Sequence, residues 1–229
     1  MDIYNSISPT SQEVYDSYNS LIFSTDSRVF NKMIKRTELY LKVKDIIGDI
    51  WEIGVFKGSG MALWCKLKNM YEYNSPCKIV GVDFFKPNNL LNDLSGNNLE
   101  KMSDVLNRVS ENDLCEESIY NKLSKINDKD ILLLKGEAGE VCRNYQKKSP
   151  GLKIKLLYMD LDLGKPTYEV LKTLWKNVCL NGIVVFDEYA FHCWDESIGV
   201  DNFLKEISGQ YECYKTDVAS PSMYIVKTI

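Results

Sequence analysis

Short, almost wholly apolar runs recur along this chain, separated by stretches of helical periodicity. The runs are DIWEIG, KIVGVDFF, DILLLKG, IKLLYMD and GIVVFDEY. A strand with one wet face alternates polar and apolar residues, so runs this continuous belong to strands covered on both faces. With amphipathic helices between them, they predict an α/β fold with a mostly parallel sheet. Two last runs, YECYKT and SMYIVKT, lie close together and predict an antiparallel edge. The first 47 residues read as mostly helical, RVFNKMIKRTELYLKVKDII being the clearest amphipathic piece. Between Lys86 and Lys129 the alternation is interrupted at a length that an ordinary strand-to-helix connection does not need. The segments LEKMSDVLNRV and CEESIYNKL within it predict an inserted helical flap beside the ligand-binding edge, the alternative being a surface decoration. One domain spanning residues 1–229 is expected.

The first strand runs into DIWEIGVFKGSG, and MALWCKLKNM continues as a helix. A strand, a glycine-bearing turn and a helix start form a nucleotide cradle, because backbone N–H groups approach a ligand closely there. A Walker-type loop is excluded, since Met61 and Ala62 follow Gly60 where Lys and Ser or Thr are required. The dinucleotide fingerprint fails as well, because Phe56 stands where its second glycine should be. The glycines are Gly54, Gly58 and Gly60, preceded by Glu52. This variant suits a ligand without phosphate that carries a ribose, an amine and a carboxylate. A plain strand-to-helix turn has the same outline.

Ligands of open parallel sheets bind beyond the carboxyl ends of the strands. Those ends carry Glu52, Asp83, Asp160, Asp162, Asp187 and Glu188. A carboxylate at Asp83 is placed to accept both ribose hydroxyls of a nucleoside. Four acids in MDLD and FDEY repel one another if they converge, unless some are protonated or a cation sits among them. Oxygen-only ligands suit Mg²⁺ or a similar hard ion; helix capping by Asp162 and solvation of Glu188 is the competing reading. His192, the only histidine, follows in YAFHCWDE and is a candidate for proton transfer or a packing residue. Tyr189, Phe191 and Trp194 beside it are able to wall an organic acceptor.

Composition narrows the partners. A net charge of −4 and a pI near 5.2 argue against nucleic acid and anionic membranes. No apolar stretch approaches the roughly 20 residues of a membrane span, and the polar start MDIYNSISPTSQ has no secretory pattern. Seven scattered cysteines without a C-x-x-C pair point to a reducing cytoplasm rather than a disulfide frame.

WEIGVFKGSG, GVDFF, LLYMDLDLGKPTYEVLKTLW, NGIVVFDEY and GVDNFL together resemble the macrocin O-methyltransferase family, from about Gly48 to the C terminus. The resemblance implies a Rossmann-like class I methyltransferase with a seven-stranded, mostly parallel sheet. It implies S-adenosylmethionine as donor, a divalent metal, usually Mg²⁺, and a sugar hydroxyl of an antibiotic or a sugar nucleotide as acceptor. Carried onto this chain, it assigns Glu52, Gly54, Ser59 and Asp83 to the donor and Glu137 and Ala138 to the flank of its adenine. Asp160, Asp187 and Glu188 fall around the metal, and Asp162 is the general base, with His192 as rival. Two departures stand out: Asp187–Glu188 replaces a commoner Asp-Asp pair, and FFKPNN replaces the usual SFEGLP on the acceptor side. A catechol-like acceptor and a non-catalytic nucleoside binder are the alternatives, and assembly into a homo-oligomer is left open.

Overall fold

The computed structural model describes residues 11–86, 91, 94–191 and 193–229. Two helices open it, α1 (Gln12–Ile22) and α2 (Arg28–Val43), followed by β1 (Asp49–Ile53), α3 (Ser59–Tyr71) and β2 (Ile79–Asp83). The interruption contains α4 (Gly96–Leu106), α5 (Glu111–Leu114) and α6 (Glu116–Leu123). Alternation then resumes with β3 (Ile131–Lys135), α7 (Ala138–Lys148), β4 (Ile154–Met159), α8 (Gly164–Leu174) and β5 (Val178–Phe186). The chain continues through α9 (Glu196–Glu206), β6 (Tyr211–Lys215) and β7 (Met223–Lys227).

The strands form one seven-stranded sheet in the order β3-β2-β1-β4-β5-β7-β6. β1 to β5 pair in parallel, while β7 runs antiparallel to both β5 and β6. Period-two alternation sends the side chains of each strand into two separate cores. Trp51, Ile53, Leu157, Met159, Val184 and Phe186 face one side, where Cys142, Val170, Leu174, Val200 and Phe203 of α7, α8 and α9 cover them. Ile50, Leu156, Tyr158 and Val185 face the other side, covered by Leu39, Tyr40, Met61 and Trp64 of α2 and α3. Ile119 and Leu123 of α6 are buried in that same second core, so the end of the interruption is structural cover rather than decoration.

The chain order reverses between β1 and β4, the place where open α/β sheets leave a crevice. Register carries this to the strand ends, since Ile53 pairs with both Val82 and Met159, and Met159 with Phe186. Hydrogen bonding continues one residue further: Gly54 N donates to Val82 O, Asp160 N to Ile53 O and Asp187 N to Met159 O, at 2.8–3.0 Å. Gly54, Asp160 and Asp187 therefore stand side by side above the sheet.

Candidate active site

The turn after β1 is left-handed at Gly54 (φ 92°), Phe56 (φ 51°) and Gly58 (φ 83°). A Cβ on Gly54 would sit 1.9 Å from the carbonyl oxygen of Asp160, so only glycine lets the ends of β1 and β4 come this close. Asp83 locks the turn from β2. Its Oδ2 accepts hydrogen bonds from Val55 N at 2.8 Å and Phe56 N at 3.0 Å, and its Oδ1 accepts one from Phe85 N at 3.1 Å. A carboxylate has about four acceptor positions, so the residue expected to take both ribose hydroxyls has one left.

A cavity of about 270 Å³ opens above this turn. Gly54, Asp83, Glu137, Ala138, Asp160 and Asp162 line it, and Met102, Leu106 and Leu114 close it from the interruption. Glu137 caps α7, its carboxylate accepting from Gly139 N at 2.9 Å and Glu140 N at 2.6 Å. Ser59 is exposed at the start of α3 and does not line this cavity. His192 lies outside the described residues.

Glu52 requires a correction. It is 2% exposed and does not line the cavity. Its Oε1 accepts from Arg36 Nη1 at 3.0 Å and its Oε2 from Trp64 Nε1 at 2.9 Å. Burial pushes its carboxyl upward and the Arg36 guanidinium opposes that shift. Gly60 belongs to the same arrangement, because a Cβ there would lie 1.8 Å from Arg36 Nη1 and 2.0 Å from Glu52 Oε1. Part of the glycine motif thus makes room for an ion pair rather than for a ligand. The Arg36 guanidinium also stacks 4.0 Å from the centroid of the Tyr158 ring and reaches Asp160 Oδ2 at 3.3 Å.

Where the sequence predicts a divalent ion, the structure has Lys32. Its Nζ lies 2.7 Å from Asp187 Oδ2 and 3.2 Å from Asp160 Oδ2. Asp187 also accepts from Tyr158 Oη and, at 2.7 Å, from Ser220 Oγ. Burial raises Asp187, but the Lys32 ammonium, the Tyr158 hydroxyl and the Arg36 guanidinium together hold the carboxyl below the usual range. Asp162, in a left-handed conformation (φ 63°), is pushed up to about 7 by burial and by the charges of Glu188 and Asp187. Glu188 Oε2 is buried without a hydrogen-bond partner among the described residues. Its N–H donates to Glu196 Oε2 at 3.3 Å. The three expected ligands, Asp160, Asp187 and Glu188, do not assemble into a metal-holding group among the described residues. As arranged, the site does not fit a divalent ion.

Lys32 and Arg36 were not singled out from the sequence, although a signal exists. They fall at i and i+4 on α2, in line with the buried Leu39, Tyr40 and Val43. Two cations on the apolar stripe of an amphipathic helix require buried acids as partners.

The donor fits better than the metal does. Gly54 and Gly136 (φ 143°) leave backbone bare at the cavity, Asp83 retains an acceptor position, and Ala138 and Leu161 provide apolar wall. Comparison with known proteins gives the same direction. A family model described as macrocin-O-methyltransferase (TylF) matches residues 28–207. No curated protein matches. Among solved structures, the chain is similar to CalS11, a TDP-rhamnose 3'-O-methyltransferase of calicheamicin biosynthesis. The two are 20% identical over 99% of each chain, with a TM-score of 0.62. It is also similar to the O-methyltransferase NovP, at 18% identity, 87% of this chain, 80% of that one and a TM-score of 0.70. TomG of Streptomyces achromogenes, solved with SAM, is 12% identical over 96% of this chain and 99% of its own, with a TM-score of 0.56. At these identities the structural likeness speaks for the fold.

Proposed function

Because the chain belongs to the macrocin-O-methyltransferase family, whose members are S-adenosylmethionine-dependent O-methyltransferases, we propose that it methylates a hydroxyl of a sugar, on a natural product or a sugar nucleotide. The observation that carries this reading is the side-by-side placement of Gly54, Asp160 and Asp187 at the switch point, beneath a cavity that Asp83 and Asp162 also line. The similar CalS11, named for a sugar-nucleotide substrate, supports the acceptor class.

When bound, the donor supplies a methyl group on a positively charged sulfur. The chain aligns the acceptor oxygen with that methyl and removes a proton. Gly54 and the turn amides tied by Asp83 shape the floor for the donor, with Asp83's remaining acceptor position toward the ribose. Ala138 and Leu161 flank its adenine. Asp162 is the general base: it lines the cavity, and a carboxyl raised to about 7 takes up a proton near neutrality. The acceptor oxygen gives its proton to Asp162 and its electron pair to the methyl carbon, while the carbon–sulfur bonding pair stays on sulfur. Seven unpaired cysteines support a reducing compartment. No described helix is long and apolar enough to cross a membrane.

Calorimetry with the donor and its demethylated product tests the cradle. A screen of glycosides, sugar nucleotides and catechols with labelled donor tests the acceptor class. Absence of donor binding by folded protein refutes the reading. Turnover confined to catechols replaces the sugar, and tight donor binding without any turnover leaves a nucleoside-binding module.

A further inference from the structure

The facing Oδ2 atoms of Asp160 and Asp187, between which a divalent ion would sit, are already occupied by hydrogen-bond donors. Asp187 Oδ2 accepts from Lys32 Nζ at 2.7 Å and Ser220 Oγ at 2.7 Å. Asp160 Oδ2 accepts from Lys32 Nζ at 3.2 Å and Arg36 Nη2 at 3.3 Å. A carboxylate oxygen has two lone pairs, so neither facing oxygen keeps one for an ion that bonds at about 2.1 Å. Such an ion would also have to enter beside two fixed positive charges. The Lys32 side chain is 32% exposed and lines the cavity. An ammonium has three N–H donors, and Asp160 and Asp187 take two.

We infer that Lys32 is a built-in cation of this enzyme: its ammonium occupies the place of a divalent ion between Asp160 and Asp187 and presents its remaining N–H to the acceptor oxygen. Negative charge develops on that oxygen as Asp162 withdraws the proton, and a fixed donor aimed at developing charge is the most productive kind of stabilisation. Lys32 differs from a metal in one respect. It donates a hydrogen bond to one oxygen and does not chelate two, so vicinal hydroxyls on the acceptor are not required. The inference rests on the methyl-transfer reading above.

The test separates the two. Mn²⁺ is titrated into the full-length protein and followed by calorimetry and by the electron paramagnetic resonance of the free ion. The parent protein takes up no stoichiometric Mn²⁺ and turns over at the same rate in chelator. Lys32→Ala, checked for folding by circular dichroism and for donor affinity, loses at least about 100-fold in turnover. It gains one Mn²⁺ site that Asp187→Asn removes, and added ethylammonium restores part of its rate. Lys32→Gln serves as a second variant if alanine does not fold. One tightly bound Mn²⁺ per parent chain overturns the inference, as does full activity of Lys32→Ala in chelator. The Mn²⁺ titration decides about Lys32 without any acceptor in hand, whereas missing donor affinity would count against the methyl-transfer reading alone.

Discussion

Arg36→Met removes the guanidinium from a carboxylate that is 2% exposed, leaving Glu52 with only the Trp64 N–H. Methionine keeps much of the volume against Tyr158, so the main loss is electrostatic. An unpaired buried carboxylate escapes by taking up a proton. From an ordinary pKa of about 4.3, neutralising a glutamate at pH 7 costs about 1.36 kcal/mol for each of some 2.7 units, or roughly 3.7 kcal/mol. That agrees with the ~3–5 kcal/mol seen when one partner of a buried pair is removed. At about 2–4 °C per kcal/mol for a chain of this size, the midpoint should fall by roughly 8–15 °C. The sign of the pH dependence follows. Burial already holds the folded pKa of Glu52 above its ordinary value, and in the variant, without Arg36 to oppose burial, it rises further, so the folded state binds the extra proton. Stability is retained at low pH and lost as pH rises. At pH 5 the penalty should shrink to about 1 kcal/mol. Urea denaturation of the parent, Arg36→Met, Glu52→Gln and the double variant at pH 5 and pH 7 measures all of this. A cost below about 1 kcal/mol at pH 7 refutes the reasoning, and so do strictly additive single-variant costs, because a coupled pair must be non-additive.

Asp162→Asn should lower turnover by roughly 10²–10⁴-fold with donor affinity unchanged, while His192→Gln retains most of its activity; steady-state kinetics showing the reverse ranking hands the proton to histidine. Asp83→Asn leaves a poorer acceptor for the amides of Val55 and Phe56. With charged hydrogen bonds contributing ~1.5–3 kcal/mol, donor binding by calorimetry should weaken about 10- to 100-fold, and an unchanged affinity would detach Asp83 from the cradle. Since Met102, Leu106 and Leu114 line the cavity, amide exchange across α4 and α5 should slow when donor and acceptor bind together. Ile119 and Leu123, already buried, should change little, and unaltered exchange in α4 would mean that the interruption does not close over the acceptor.

The sheet was legible because its causes are local. Continuous apolar runs marked β1 to β5, and two closely spaced runs marked the antiparallel edge formed by β6 and β7. MALWCKLKNM, read as the helix after the glycine turn, lies within α3. The strand ends likewise named acids that lie at the crevice, Asp83, Asp160 and Asp162 among them. What the sequence hid were side-chain partnerships made by docking. Glu52 precedes a glycine turn and so reads as a donor ligand, yet α2 lies over β1 and delivers Arg36 to it. The acid cluster reads as a metal site until the same helix is found to deliver Lys32. Neither pairing follows from spacing within a segment, because each depends on which helix covers which strand.

The cations of α2 also set an order in time. Arg36 finds Glu52 only 16 residues later in the chain, whereas the Lys32 contacts with Asp160 and Asp187 span 128 and 155 residues. At a synthesis rate of about 5–20 residues per second, Lys32 waits roughly 8–30 s for Asp187 to emerge. During that interval its ammonium stays hydrated, and the β1 turn has neither β4 nor β5 beside it. Pairings this distant are slow to form, so the Lys32 side of the pocket closes later than the Arg36–Glu52 pair beneath the turn. A ribosome-stalled chain ending before Phe186 should therefore protect Arg36 and Glu52 while leaving Lys32 open to amine-reactive labels.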